Sequence, residues 1–272
     1  MSIRLRFFQY AVLGFFALYA LAPVYLVLLA SVRSEADLFS GPLSLPWPLD
    51  LSTYSRVWVD AGFWRYFINS LIISVSATFL VMLTAPLAGF AFAKLKFRHK
   101  ELVFALFLAG LVVPAPSVIV ALYGNLDYLR LLDTHLGVII PQAALLLPFS
   151  VFMMRTVMED VPNELLEAAT VDGASVFKAF VLIVLPIVRP GLMSLALIAF
   201  LFSWQEYLLP LVVIQDETLK PITVGAAALQ GRYGVDYGGI AAAGVIAFAP
   251  VVLLFLVMQR SFVRGLTAGA VK

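Results

Sequence analysis

Six long apolar stretches divide the chain and leave little sequence for any other kind of core. They lie at roughly 7–31, 67–93, 102–123, 137–158, 190–213 and 239–259. Each holds about 20 residues or more, enough for a helix to cross about 30 Å of hydrocarbon. Backbone inside a bilayer must satisfy its own hydrogen bonds, so these stretches are expected to be helices. The pattern predicts an all-α membrane protein with six transmembrane helices.

The composition fits a bilayer as the main solvent. The chain is 62% hydrophobic and 12% charged, whereas a soluble domain has about 25% charged residues. We expect residues 1–272 to form a single transmembrane domain. The absence of cysteine excludes disulfides, thiol catalysis and Cys-ligated metals. His99 and His135 stand apart with no acidic cluster, so no metal site is expected, and a net charge of +2 gives no reason to expect nucleic acid.

Two apolar stretches raise questions about their boundaries. The first follows Arg4 and Arg6, as a signal peptide would, but its apolar run of about 24 residues exceeds the usual signal length. We therefore expect it to remain as a membrane span. In the third stretch, Pro114 and Pro116 are expected to break or kink the helix.

The basic residues predict the orientation of the spans. With a cytoplasmic N-terminus, twelve of the 18 basic residues face the cytoplasm and six face outward, which satisfies the positive-inside rule. The cytoplasmic set is Arg4, Arg6, Lys94, Lys96, Arg98, Lys100, Arg155, Lys178, Arg189, Arg260, Arg264 and Lys272. Both termini are therefore predicted to be cytoplasmic, with outer loops at 32–66 and 214–238 and a cytoplasmic tail at 260–272.

A short acidic island interrupts the apolar pattern between the fourth and fifth spans, within the predicted cytoplasmic loop 159–189. Its residues 163–172 are rich in Glu, Leu and Ala, which favour a helix. Pro162 suits the first turn of that helix, and Gly173 is placed to end it in a left-handed conformation. A second helix is predicted from about Ser175, with Pro186 interrupting it where the chain returns to the membrane.

The chemistry of the island favours a protein partner over a lipid surface. Ala168 and Ala169 would leave a flat patch for close approach, and Glu167 offers a charge-assisted contact. Helices that rest on headgroups usually carry Lys or Arg on the polar face, whereas this island is acidic. An ordinary loop helix at the membrane surface is the alternative.

The spacing of the island resembles the cytoplasmic loop of binding-protein-dependent ABC importer permeases. The pattern Glu-Ala-Ala-x3-Gly-x9-Ile-x-Leu-Pro is matched in full from Glu167 to Pro186, including Ile183. The resemblance implies that this loop is a coupling helix that docks on a separate ATPase subunit. The implied coupling residues are Glu164, Glu167, Ala168, Ala169, Asp172, Gly173, Leu185 and Pro186.

Other segments resemble one branch of that family, the second permease subunit of maltose-type sugar importers. They are Asn69-Ser70, Trp204-Gln-Glu-Tyr-Leu208 and the tail from Arg264 to Lys272. This resemblance implies a heterodimer with a second homologous permease, two copies of an ABC ATPase subunit and an extracytoplasmic sugar-binding protein, all assembled in membrane lipid. The sugar itself, a di- or oligosaccharide or a related polyol or glycerol phosphate, is left open.

The chain lacks the residues that would hydrolyse ATP. It has no Gly-x4-Gly-Lys-Ser/Thr loop to hold phosphates and no catalytic constellation, so no enzyme activity or cofactor is expected here. ATP and Mg would bind the partner ATPase subunits. The rival interpretations are a self-sufficient secondary transporter or channel, which would need carboxylates deep in the membrane, and a membrane-embedded enzyme or assembly factor.

Candidate substrate contacts lie in the outer half of the spans. Trp204, Gln205 and Glu206 combine an aromatic face with an amide and a carboxylate, which suits a sugar, and Asn125 and Gln142 are weaker candidates. Alternatively, Glu206 reaches the outer interface or pairs within the bundle.

An outer loop offers candidate contacts with a binding protein. By resemblance these are Gln230, Arg232, Tyr233, Asp236 and Tyr237, with a plain connecting loop as the alternative.

Overall fold

The described part of the chain is almost entirely helical. The computed structural model describes residues 3–33, 49–228, 230–231 and 234–268, with side chains over 6–33, 49–227 and 236–259. The first helices are α1 (Ile3–Ser31), α2 (Ser52–Ser55, continued by a π-helix over Arg56–Asp60), α3 (Phe63–Lys94), α4 (Lys100–Ala109, continued by a 3-10 turn over Gly110–Val112), α5 (Ala115–Tyr128) and α6 (Leu136–Glu159).

The second half contributes α7 (Asn163–Val171), α8 (Val176–Ala179, then a π-helix over Phe180–Val184, then Leu185–Ile187), α9 (Arg189–Trp204), α10 (Leu208–Val213), α11 (Ile222–Ala228) and α12 (Tyr237–Ala268). Between the last two, the short strands β1 (Gln230–Gly231) and β2 (Gly234–Val235) pair antiparallel. The predicted tail is therefore helical as far as Ala268.

Four described helices are long and apolar enough to cross a membrane, and two bent pairs bring the count to as many as six. The four are α1, α3, α6 and α12. The pairs are α4 with α5, bent by 98°, and α8 with α9, bent by 81°. The prediction of an apolar, all-helical membrane protein is confirmed, while six spans requires each bent pair to count as one span.

Proline decides where two of the predicted spans break. Pro114 is extended at the junction of α4 and α5, as predicted, because it cannot continue the hydrogen-bond pattern of the preceding helix. The predicted continuous helix over 190–213 is wrong, since α9 ends at Trp204 and α10 starts at Leu208. Pro210 has no N–H to donate to the Glu206 carbonyl, and the Thr223 hydroxyl donates to that carbonyl instead, at 2.7 Å.

The chain divides into two compact units, each of which draws on two separate parts of the sequence. One falls within residues 66–224 and 251–272, and the other within 1–65 and 225–250. The boundary passes through α3 after Arg65 and through α12 after Pro250. The prediction of a single membrane domain over the whole chain stays a prediction.

Helix α6 lies at the centre of the unit formed by residues 66–224 and 251–272. Buried side chains from α3, α4, α8 and α9 pack against it in one apolar cluster. Small residues allow two of these close approaches: a Cβ on Gly89 of α3 would lie 2.6 Å from the Cβ of Met154, and one on Gly191 of α9 would lie 2.8 Å from Val157. Close approach at glycine is typical of membrane helix packing.

The other unit is held by polar contacts at the end of α1. Ser31 donates to the Leu28 carbonyl at 2.7 Å and shares a second hydrogen bond with the Tyr54 hydroxyl at 2.7 Å. Arg56 pairs with Asp236 at 3.1 Å, just before α12. Most of α1 remains exposed along its length.

Candidate functional site

Helix α7 carries the acidic island and presents one face away from its own core. Glu164 lies in its first turn, where the helix dipole favours a negative charge. Glu164, Glu167 and Ala168 are exposed, whereas Ala169 is buried and Leu166 packs against the apolar cluster of α6. The predicted helix is therefore confirmed, with its acids directed outward.

The expected flat Ala-Ala patch is only half present. Ala169 is 6% exposed because it lies on the inner face of α7 with Leu166, three residues before it. Ala168 remains open for contact. Exposed apolar residues extend the open surface beyond the acids, namely Val171, Val176 and Phe177.

Gly173 ends α7 in a Schellman turn. Its φ is 76°, in the left-handed region that glycine adopts without strain. The Ala174 N–H donates to the Ala169 carbonyl at 2.9 Å and the Gly173 N–H donates to the Thr170 carbonyl at 3.0 Å, the two bonds that define this motif. The left-handed stop predicted at Gly173 is confirmed, and Asp172 is exposed beside it.

The second helix of the island also forms where it was expected. The Ser175 hydroxyl accepts from the Lys178 N–H at 3.2 Å and caps α8. Leu185 packs against the buried cluster and Pro186 is exposed, and the helix breaks at Val188, two residues later. The island is thus two short helices joined by a glycine turn, with the second returning to α9 through the 81° bend.

The candidate substrate residues at and just after the end of α9 do not form one open wall. Trp204 is buried, stacked on Phe200 at 5.4 Å and edge-on to Phe67 at 5.7 Å. The side chain of Glu206 accepts from the Leu209 N–H at 3.1 Å and thereby caps α10. Gln205 is exposed. The placement of Glu206 inside a continuous span is wrong, since it lies in the break between two helices.

Gln142 and Asn125 have opposite environments. Gln142 is 2% exposed on α6, and its Oε1 accepts a hydrogen bond from the Ser203 hydroxyl. Its Nε2 has no partner among the described residues. Asn125 is exposed on α5. Of these two candidates, only Asn125 is accessible from outside the protein in this structure.

The candidate binding-protein contacts are only partly described. Arg232 and Tyr233 lie outside the described residues, and Gln230 is described only through the backbone of β1. Asp236 pairs with Arg56 and accepts from the Gly239 N–H at 2.7 Å, so its side chain already holds the start of α12. Tyr237 is exposed.

A family model with the description binding-protein-dependent transport system inner membrane component matches residues 85–268. The chain belongs to this family. It is accordingly a multi-pass protein of the inner membrane. The match includes α7, α8 and the glycine turn between them.

Relatives of this transport component cover nearly its whole length. It is 34% identical to the diacetylchitobiose uptake system permease protein of Streptomyces coelicolor, over 98% of this chain and 89% of the relative. It is 33% identical to the arabinooligosaccharides transport system permease protein of Halalkalibacterium halodurans, over 95% of this chain and 94% of the relative.

A solved structure shares the fold. A chain of a bacterial ABC transporter involved in importing the acidic polysaccharide alginate matches with a TM-score of 0.83 and 24% identity, over 96% of this chain and 99% of that one.

Hydrogen bonds that the sequence did not predict hold segment 214–222 of this transport component. Asn69 donates to the carbonyls of Thr218 and Lys220 at 2.8 and 3.0 Å, and Ser70 accepts from the Ile222 N–H at 2.8 Å. In the sequence, only the polar pair Asn69-Ser70 at the start of an apolar stretch could have indicated these hydrogen bonds. Hydrogen bonds from the backbone and side chain of Thr218 hold the pKa of Asp216 below its usual range.

Proposed function

We propose that this chain is a permease subunit of an ATP-driven sugar importer. It would form half of the translocation pathway beside a second homologous permease, and two ATPase subunits would hydrolyse ATP. Membership of the inner-membrane family supports the transport role. The roles that two relatives are named for, uptake of diacetylchitobiose and transport of arabinooligosaccharides, support an oligosaccharide as the substrate class.

The outward face of α7 carries this proposal. Glu164, Glu167 and Ala168 are exposed on a helix that packs inward through Leu166 and Ala169, so the helix is anchored while its acids stay free for a partner. A partner surface with basic residues would complement them. We infer that this surface belongs to the ATPase subunit, and that Asp172, Gly173, Leu185 and Pro186 shape the turn and the return to the membrane.

The proposed orientation places both termini and α7 in the cytoplasm. Counting each bent pair as one span gives six crossings, an even number that returns the C-terminus to the side of the N-terminus. The excess of Lys and Arg on that side supports this direction. The segment 214–238 then faces outward, where a sugar-binding protein would approach Tyr237 and its neighbours.

The proposed pathway role differs among the predicted residues. Gln205 and Asn125 are exposed and available to sugar hydroxyls. Trp204 and Gln142 are buried, so they would support the pathway wall from within. Glu206 caps α10 and would hold the break at the end of α9 in place.

The test requires the whole importer. The chain is expressed with its second permease and ATPase, purified, and assayed for co-purifying ATPase and, with the sugar-binding protein added, for uptake of diacetylchitobiose and an arabinooligosaccharide into proteoliposomes. Glu167→Lys should release the ATPase and stop uptake, because it reverses the charge of the docking face. Asp60→Lys, the same kind of change at an exposed acid of the other unit, should leave both unchanged. Uptake by the purified chain alone would instead indicate a self-sufficient transporter.

A further inference from the structure

The ammonium group of Lys94 lies against the elbow between α6 and α7, defined here as residues 159–163. Its Nζ donates to the Val161 carbonyl at 2.5 Å, to the Asn163 Oδ1 at 3.0 Å and to the Glu159 carbonyl at 3.2 Å. An ammonium group has three N–H donors and no acceptor. The three acceptors of the elbow therefore match the donor capacity of this side chain.

The position of these acceptors explains why a cation binds there. Glu159 is the last residue of α6, and carbonyls in the last turn of a helix lack intrahelical partners and carry partial negative charge. Asn163 is the first residue of α7. Lys94 is the last residue of α3, a helix long enough to span a membrane. One side chain thus joins the ends of three helices.

The elbow is also fixed by apolar packing. Val161 is buried in the same cluster as Phe90 and Phe92 of α3. The hydrogen bond from Lys94 to the Val161 carbonyl is partly buried beside this apolar cluster, where water competes less for the donor and acceptor, whereas the bonds to Glu159 and Asn163 are exposed. Only three residues connect α6 to α7, and the hydrogen bonds reach the last residue of one helix and the first of the other.

A second cation steadies α6 just before the elbow. Arg155 makes two hydrogen bonds of 2.9 Å to Glu101 of α4 and one of 2.7 Å to Glu159, and its guanidinium lies 4.1 Å from the ring of Phe104. Bidentate geometry of this kind fixes orientation as well as distance. Arg155 holds α6 to α4, whereas Lys94 reaches α7 itself.

We propose that Lys94 is a positioning residue that fixes the start of α7 to the end of α3, so that a movement imposed on α7 passes directly to a membrane-spanning helix. This role rests on the proposed docking of an ATPase against α7. Without Lys94, the connection between α6 and α7 can bend at its three linking residues, and part of the imposed movement is lost there.

The experiment measures the spacing of α7 and α3 in the assembled importer. The chain has no cysteine, so Thr170→Cys on α7, beside the proposed docking face, and Lys96→Cys just after α3 place two spin labels at exposed sites. The distance between the labels is measured with and without ATP in the parent, in Lys94→Met, and in the matched control Arg98→Met, which removes an exposed cation of the same basic turn.

In the parent and in Arg98→Met, ATP should leave the distance unchanged, because α7 and α3 move together. In Lys94→Met it should shift by about 2 Å or more, the scale of helix displacements in switching proteins. Asn163→Ala should change the label distance less than Lys94→Met does. In the Lys94→Met background, Asn163→Ala should cause no further change, because both substitutions disrupt the same hydrogen bond. If ATP changes the label distance equally in the parent and in Lys94→Met, or if the shifts of Lys94→Met and Asn163→Ala add, the proposed role of Lys94 is wrong. Either result would leave the proposed function of the protein standing. If no ATPase co-purifies with the parent, the proposed function fails, and this role fails with it.

Discussion

Substitution of Gly173 tests whether the turn after α7 depends on a left-handed residue. The residue has φ 76°, and a Cβ added there would meet nothing within 4 Å, so any cost of Gly173→Ala is conformational and not steric. An L-residue in the left-handed region destabilises the folded state by about 1–2 kcal/mol. Alanine also lowers the conformational entropy of the unfolded chain, which offsets about 0.4–1 kcal/mol of that cost. The net destabilisation of the turn is therefore about 1 kcal/mol.

Hydrogen exchange of the peptide that covers α7 and α8 measures that cost directly. A loss of about 1 kcal/mol raises the local opening equilibrium, and with it the exchange rate of the Gly173 and Ala174 amides, about fivefold. Gly173→Asn should exchange more slowly than Gly173→Ala, because asparagine tolerates the left-handed region better. Gly173→Pro should be the most severe, since it also removes the N–H that donates to Thr170.

The matched control is Gly124→Ala in α5. Gly124 has no positive φ, and an added Cβ meets nothing within 4 Å, so the same chemical change occurs without conformational strain. Exchange of the α7–α8 peptide should match that of the parent protein. If Gly173→Ala exchanges at the parent rate, or if Gly173→Asn exchanges faster than Gly173→Ala, the left-handed conformation of residue 173 does not limit the stability of the turn.

Packing and topology give three further predictions. Gly89→Ala should lower the free energy of unfolding by about 1–3 kcal/mol, because its Cβ would lie 2.6 Å from α6; an unchanged thermal midpoint would contradict this. Ser203→Ala should cost about 1–3 kcal/mol by leaving the buried Oε1 of Gln142 unpaired, and adding Gln142→Leu should recover most of it; no recovery would mean that the amide has another role. Val171→Cys should react with an impermeant maleimide only from the cytoplasmic side, and Tyr128→Cys only from the opposite side; labelling of both from one side would rule out the proposed orientation.

The features that sequence reasoning predicted best depend on neighbours in the chain. The helix before Gly173, its left-handed stop and the break at Pro114 all follow from residues within one or two turns. The length of an apolar stretch likewise predicts a helix, because backbone N–H and C=O groups in lipid must form their hydrogen bonds within the protein. These rules need no knowledge of what packs against the segment.

The features that could not be predicted from the sequence depend on groups that are distant along the chain. The break after Trp204 involves Thr223, whose hydroxyl donates to the Glu206 carbonyl that Pro210 leaves without a helical partner. The buried environment of Gln142 depends on Ser203, 61 residues away. Apolar length alone therefore overestimated the fifth helix and placed a buried amide among the candidates for sugar contact.

The amino-acid sequence alone specifies a helical membrane protein with an acidic helix–turn–helix island, because hydropathy, helix propensity and the left-handed glycine act between neighbouring residues. Packing against distant segments sets which side chains face outward on that island and how the island is held. Ala169 turns inward because Leu166, on the same face of α7, packs into the core of the unit built around α6. Lys94 looked like one more cation of a basic turn, yet two of its three acceptors are backbone carbonyls 65 and 67 residues away. Every residue has such a carbonyl, so the sequence carries no sign of which ones a lysine will meet.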